Sequence, residues 1–384
     1  MFGWMRYQAT SKRDLRLDFI RGYCVFMMII DHLSGPSFLY LITGNNRYIV
    51  SAAEGFVFIS GVVMGMVYRP TAERLGFEEL CIRALDRAIQ LYLLFVGLTF
   101  AMVGLSLAIG SPIPFPIRDP LAWAVGIVTL HQSAYLTDVL LFYTIAVAIA
   151  PLPFLFFRRN QTPAVLGASF LLWAAYQWRP DLAQIPWPIE RQDAFPFAAW
   201  QLLFVIGLAI GWHEQKVRRF LRRLPLPVTT LGLLAALGGL LVAYRYTPRI
   251  GQAVGGPVGE YLADVFYKFD VRPGRVLALL VVFALFYLVL TVFWKPIHAG
   301  TGWLFLTLGQ HALDSYSVHI FFVIVLGAMR VHIGPEDALS ILPNTVLQIA
   351  CLLIIWAMVR FGFIDWIMGR SRAPARRPAA AGTS

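Results

Sequence analysis

The chain has 384 residues, of which 58% are hydrophobic and only 14% charged, with a mean hydropathy of +0.67. One water-soluble core cannot use that much apolar side chain, so the composition excludes an ordinary soluble domain and points to an integral membrane protein. The formal net charge of +11 would suggest nucleic acid in a soluble protein; here Lys and Arg are expected in short cytoplasmic loops facing anionic lipid, and no nucleic-acid partner is expected.

The first sixteen residues carry Arg6, Lys12, Arg13 and Arg16 but no apolar stretch with a small-residue cleavage site, so residues 1–16 read as a cytoplasmic N-terminal segment rather than a removable signal peptide. A bilayer core of roughly 30 Å needs about 20 apolar residues per helix, and the long unbroken runs that follow argue for helices rather than the alternating strands of a barrel. Ten spans are predicted: Leu17 to Leu33, Ile49 to Tyr68, Ile89 to Ile109, Tyr135 to Phe157, Thr162 to Trp178, Phe195 to Trp212, Leu226 to Tyr244, Val276 to Trp294, Trp303 to Met329 and Ile341 to Val359. With the N-terminus inside, Lys and Arg divide 21 to 9 in favour of the cytoplasmic connections, leaving out Arg21 and Arg275, so both termini are expected in the cytoplasm. The fold class is therefore an all-α polytopic membrane protein, with residues 17–360 as one transmembrane domain and 361–384 as a basic, partly disordered tail. Residues 77–88 and 217–224 each show an apolar stripe at helical spacing and read as amphipathic helices suited to the membrane interface. The outer loops 110–134, 179–194 and 245–275 are rich in Pro, Gly and Trp and are expected to be ordered but irregular.

A charge inside a bilayer costs at least roughly 2.5 to 3.5 kcal/mol on insertion scales, so ionisable residues within spans are functional candidates. The first span holds Asp18, Arg21, Asp31 and His32. Eleven positions separate Arg21 from His32, nearly three turns, so both project from one face, roughly 16 Å apart along the axis, Arg21 low and His32 near the outer end. Arg21 also fits a snorkelling anchor paired with Asp18. Glu54 in the second span and Asp138 at the start of the fourth lie at about the depth of His32, and a carboxylate holding the imidazole N–H would raise its basicity. Glu54 is the first choice for that partner and Asp138 the second; both also fit helix-end carboxylates facing water.

Arg69, Arg83 and Arg87 stand on the cytoplasmic connection, where Arg83 and Arg87, four residues apart, suit either a phosphorylated donor or lipid headgroups. In the ninth span His311, Ser315 and His319 recur every fourth residue beside Asp314, a polar stripe that belongs in the bundle interior, binding substrate or knitting helices. Cys24, Cys81 and Cys351 stand far apart with no CxxC or Cys/His spacing, so they are read as structural, and no metal site is expected. P-loop, dinucleotide-binding, nucleophile-elbow and HExxH motifs are missing.

The segment RLDFIRGYCVFMMIIDHLSG (Arg16 to Gly35) resembles the first membrane helix of the transmembrane acyltransferase superfamily, including the acyltransferase-3 proteins, with its Arg, ten residues and His. EGFVFISGVVMGMVYRP (Glu54 to Pro70) is similar to that superfamily's second helix, although SGVV stands where many relatives have SGF. YLTDVLLFY (Tyr135 to Tyr143), PFAAWQLLFVIGL (Pro196 to Leu208) and LGQHALDSYSVH (Leu308 to His319) resemble the OpgC-type proteins associated with succinylation of osmoregulated periplasmic glucans. The resemblance implies a multi-pass protein of the bacterial inner membrane with a catalytic His32 and an essential Arg21, and with Arg69, Arg83 or Arg87 on the donor side. It implies acyl-CoA, succinyl-CoA or acetyl-CoA, as a co-substrate rather than a tightly bound cofactor. The acceptor it implies is a periplasmic glucan or other envelope glycan, beside membrane lipid and proteins of glucan biosynthesis as partners. Together with the residue-level reading above, the candidate catalytic group is His32, Arg21 and Glu54, with Asp31, Asp138, Asp314 and His319 in support. The rival reading is a proton-coupled secondary transporter or exporter of a small anion or glycan precursor, since buried Arg, His, Asp and Glu in ten helices suit it too. The one internal similarity, Gln90 to Leu98 against Gln201 to Leu208, is what Leu-rich composition yields by chance, so no repeat supports the carrier.

Overall fold

A computed structural model describes residues 5–8, 13–33, 35–111, 113, 116–180, 186–190, 194–330 and 341–363. In chain order the helices are α1 (Leu15–His32), α2 (Tyr40–Thr43), α3 (Ala52–Arg74), α4 (Phe77–Ile109), α5 (Pro120–Val128), α6 (Asp138–Ile149), α7 (Pro151–Arg158), α8 (Thr162–Trp178), α9 (Phe197–Trp212), α10 (Glu214–Arg223), α11 (Leu226–Val254), α12 (Gly256–Ala263), α13 (Pro273–Val292), α14 (Trp294–Gln310), α15 (Ala312–Arg330) and α16 (Ile341–Arg360). The only β pairing among the described residues is an isolated bridge between Gln132 and Glu190. Seven helices are long and apolar enough to cross a membrane, α3, α4, α6 with α7, α11, α13, α15 and α16, or eight if α9 is joined to α10 across an 80° bend. The protein is thus an all-α, multi-pass membrane protein. Of the other expected spans, α1 is interrupted by Arg16, Asp18, Arg21 and Asp31, and α8 has only 17 residues. The tail expected at 361–384 lies outside the described residues beyond 363.

Three expectations are corrected. The amphipathic stretch 77–88 is no separate surface helix but the first third of α4, which runs from Gly76 (φ +95°) to Gly110 (φ +67°), the two left-handed glycines that open and close it. The expected ninth span is divided: α14 ends at Gln310 and α15 starts at Ala312, with His311 out of helical geometry between them. The outer loops are more helical than their composition suggested, since α5 forms behind an Asp119 N-cap, α11 continues ten residues past Tyr244 through Pro248, and α12 follows. The stretch 217–224 does fall largely on a short helix of its own, α10, without a buried residue and set across the end of α9.

Close packing is dictated by glycines. A Cβ on Gly61 would stand 2.2 Å from the Phe204 carbonyl oxygen and one on Gly211 1.9 Å from that of Val62, so α3 and α9 touch backbone to backbone. Small residues are what allow membrane helices such contact, since lipid supplies no hydrophobic drive between them. Gly22 and Gly309 do the same for α1 and α14: a Cβ on either would lie 1.8 Å from the facing carbonyl oxygen of Phe305 or Asp18. Helix α1 is therefore central, packed on α3, α13, α14 and α15, with Leu17 to Ile30 buried except at Arg21 and Tyr23.

The N-terminal end of α1 is locked by charge. Asp14 caps the helix through the Arg16 N–H and accepts from the Arg16 guanidinium at 2.9 and 2.7 Å, from Tyr287 at 2.9 Å and from Arg218 of α10 at 3.1 Å. Arg16 lies between the rings of Tyr7 and Tyr287, 4.2 Å from each centroid. Burial pushes the Asp14 carboxyl up, but the hydrogen bonds and charge of Arg16, with Tyr287 and Arg218, outweigh it and hold Asp14 below its ordinary value.

Candidate active site

The C-terminal end of α1 carries a cluster of ionisable groups. Nδ1 of His32 lies 2.9 Å from Nε2 of His319 on α15, the two rings inclined by 23° with centroids 5.2 Å apart, so that they meet edge to edge. Nδ1 of His319 makes a very short contact with the Tyr316 carbonyl, and the Tyr316 hydroxyl donates to the Leu136 carbonyl at 2.5 Å. His319 has no exposed surface, and Tyr135 stands 6.5 Å from the His32 ring. Asp31 accepts from the Thr43 hydroxyl at 2.5 Å, and Asp138 accepts the Val139 N–H at its own helix start at 2.9 Å.

Glu54 is not the partner of His32. It receives a two-pronged bond from Arg275 of α13, Nε to Oε1 at 2.7 Å and Nη2 to Oε2 at 3.0 Å, and closes a capping box with Ser51, whose N–H it accepts at 2.6 Å. Arg275 donates its remaining Nη1 to the Tyr48 carbonyl at 2.7 Å. A guanidinium fork matches both carboxylate oxygens, a fit no imidazole offers, so the pair clamps α3 to α13. Asp138, the second choice, also makes no bond to His32 among the described residues; the imidazole from α15 takes that place. Sequence reasoning missed Arg275 and Lys268 as members of this cluster. Arg275 stands one residue before the predicted span at Val276 and becomes the third residue of α13, so a charge at the edge of that span was the signal to read, whereas Lys268 lies in the connection between α12 and α13 and joins the cluster only through the fold. Lys268 donates to the Asn46 side chain at 2.8 Å. Burial pushes its ammonium below the ordinary value; Glu54 opposes that shift, Arg275 adds to it, and Asp31 and Asp138 oppose it.

Arg21 lies lower on α1. Asp18 does not pair with it, because Asp18 is taken by Arg13 at 2.5 Å, and the Arg21 Nε is buried without a hydrogen-bond partner among the described residues. Tyr143, Cys24 and Asp18 stand within electrostatic reach of Arg21, and the Tyr143 hydroxyl bonds Ser60 at 3.2 Å. Between Arg21 and His32 the same helix face carries Cys24, Val25 and Met28, all buried, so the two side chains share a face but do not meet.

The break at His311 splits the polar stripe of the expected ninth span. Ser315 and His319 are fully buried, and the Ser315 hydroxyl has no hydrogen-bond partner among the described residues. His311 instead lines a cavity of about 840 Å³ between α14 and α16 with His298, Trp303, Gln310, Trp356 and Arg360, and stands 3.7 Å from Asp314. Arg69 bonds Glu73 and the Trp212 carbonyl, Arg83 bonds Glu79, and Arg87 bonds Gln90, the first two through i,i+4 ion pairs. All three thus stand apart from the His32 cluster, Arg69 near the C-terminal end of α3 and Arg83 and Arg87 near the N-terminal end of α4. Among the described residues no group of three or more His, Cys, Asp or Glu is arranged to hold a metal ion.

The family model described as OpgC protein matches residues 13–367, nearly the whole described chain. No curated protein and no solved structure gives a match.

Proposed function

The chain belongs to the OpgC protein family, and from that premise we propose that it is an inner-membrane O-acyltransferase that modifies a periplasmic glucan or related envelope glycan with an acyl group taken from cytoplasmic acyl-CoA. Family membership supports the part in glucan modification; succinyl is the first choice of acyl group and acetyl the second. The observation that carries the enzymatic reading is His32, an imidazole at the outer end of the central helix with one nitrogen engaged by His319 and the other left for chemistry. Nε2 of His32 removes the proton from a sugar hydroxyl as the oxygen attacks the thioester carbonyl carbon. The tetrahedral intermediate collapses with cleavage of the C–S bond, and the departing thiolate recovers the proton from His32. Arg21, cationic and lower in the bundle, orients the anionic donor. Arg69, Arg83 and Arg87 meet its nucleotide phosphates only by giving up their present partners, which makes Arg21 the stronger assignment.

The test uses purified protein in detergent with labelled succinyl-CoA or acetyl-CoA and a linear glucan. Transfer is expected, and His32→Ala should lower its rate by about 10² to 10⁴-fold, the usual worth of a general base, while the protein still inserts. Acceptor-independent movement of a small anion or glycan precursor into liposomes, with no acyl chemistry, would instead establish the carrier.

A further inference from the structure

We infer that His319 is a positioning residue that fixes the tautomer of His32 and so selects which nitrogen does the chemistry, an inference that rests on the acyl-transfer reading above. The Tyr316 carbonyl has only lone pairs, so Nδ1 of His319, in contact with it, must carry a hydrogen and donate. A neutral imidazole has one N–H, which leaves Nε2 of His319 as an acceptor. The atom facing that acceptor, at 2.9 Å, is Nδ1 of His32, which must therefore hold the hydrogen of its own ring. Nε2 of His32 is left bare, with its lone pair directed away from α15. The opposite arrangement needs a second proton on His319. That would place a charge on a side chain with no exposed surface whose hydrogen-bond partners are a carbonyl and another imidazole, a costly burial.

The carboxylate expected beside His32 is thus replaced by a neutral imidazole anchored to the backbone one turn earlier on α15. Glu54 is held by Arg275, Asp31 by Thr43 and Asp138 by its own helix start, so none competes for the His32 Nδ1 hydrogen. A wrong tautomer in such a pair leaves the geometry intact while removing the base, the loss known from hydrolytic triads.

Two conservative variants separate positioning from packing. Gln at 319 reaches about where Nε2 now stands and offers a side-chain oxygen to the His32 Nδ1 hydrogen, whereas Asn reaches only to the Nδ1 position and keeps the backbone contact without the relay. With purified full-length protein, labelled succinyl-CoA and linear glucan, kcat and KM for the donor are measured for the parent, His32→Ala, His319→Gln and His319→Asn. The expected result is a kcat at least about tenfold lower in His319→Asn, most of it restored in His319→Gln, with KM changed by less than about twofold in both. Equal kcat in the Gln and Asn variants, high or low, overturns the inference while a dead His32→Ala leaves the acyl-transfer reading standing. Full activity in His32→Ala overturns the base assignment itself, and the positioning role with it.

Discussion

Glu54 and Arg275 form a buried ion pair, with side chains 0% and 3% exposed, and removing one partner strands the other charge. Glu54→Gln should therefore destabilise the protein by about 3 to 5 kcal/mol, read as a lower thermal midpoint in detergent, whereas Glu54→Leu combined with Arg275→Met should recover most of that loss. A single variant as stable as the parent would show that the clamp does not hold α3 to α13. Neighbourhood was legible at this scale: span edges and helical spacing put Glu54, Asp138 and His32 at one level, and all three stand within electrostatic reach of Lys268. Partner identity was not, because which carboxylate meets which cation depends on how α13 and α15 are set around α1, information carried by packing and not by period. Asp14 gives a second residue-level expectation. Its pKa is held below the ordinary 3.8, so its contribution is fully present above that value and is lost as pH falls through the lower one. The midpoint difference between the parent and Asp14→Asn should be widest near neutral pH and close on acidification below about pH 4; a difference independent of pH would mean that the carboxylate charge is not what locks α1, α10 and α13.

Helices succeed or fail in this bundle by how closely their backbones must approach, and glycine on α3, α9 and α4 makes the contrast direct. Gly211 has the Val62 oxygen 1.9 Å from where a Cβ would sit, while Gly104 has nothing within 4 Å. Gly211→Ala should force α3 and α9 apart and lower the thermal midpoint, and Gly104→Ala should leave it unchanged or raise it, since Gly inside a helix costs roughly 0.5 to 1 kcal/mol against Ala. Equal effects of the two would mean that helix propensity, not contact, sets stability here. Hydropathy runs located most long helices because insertion energy acts on one segment at a time. The same logic could not locate the break at His311, which lies inside a polar stripe of good helical period. The break falls two residues after Gly309, which is pressed on Gly22 of α1, and α15 then carries Ser315 and His319.

Across the whole molecule, polar chemistry collects at two opposite ends of one central helix. Asp14, Arg16, Arg218 and Tyr287 meet at the start of α1, and His32, His319, Asp31 and the Glu54–Arg275 pair meet at its finish, 18 residues and roughly 27 Å away. Helix α13 runs the other way between the same clusters, from Arg275 to Tyr287. A donor from one compartment and an acceptor from the other can then use different ends of one bundle, provided that the Asp14 end faces the cytoplasm, the orientation expected from the excess of Lys and Arg on that side. Orientation is therefore the premise most exposed to test. Cys81 lies partly exposed near the Asp14-side end of α4, while Cys24 and Cys351 are buried; Leu41, 78% exposed, sits beside the His32 end. A membrane-impermeant maleimide should label Cys81 in inverted vesicles only, and Leu41→Cys in a Cys81→Ser background in right-side-out vesicles only. The reverse pattern would set His32 on the acyl-CoA side and Arg21 on the glucan side, and a transfer route with the imidazole at the acceptor's end could not operate.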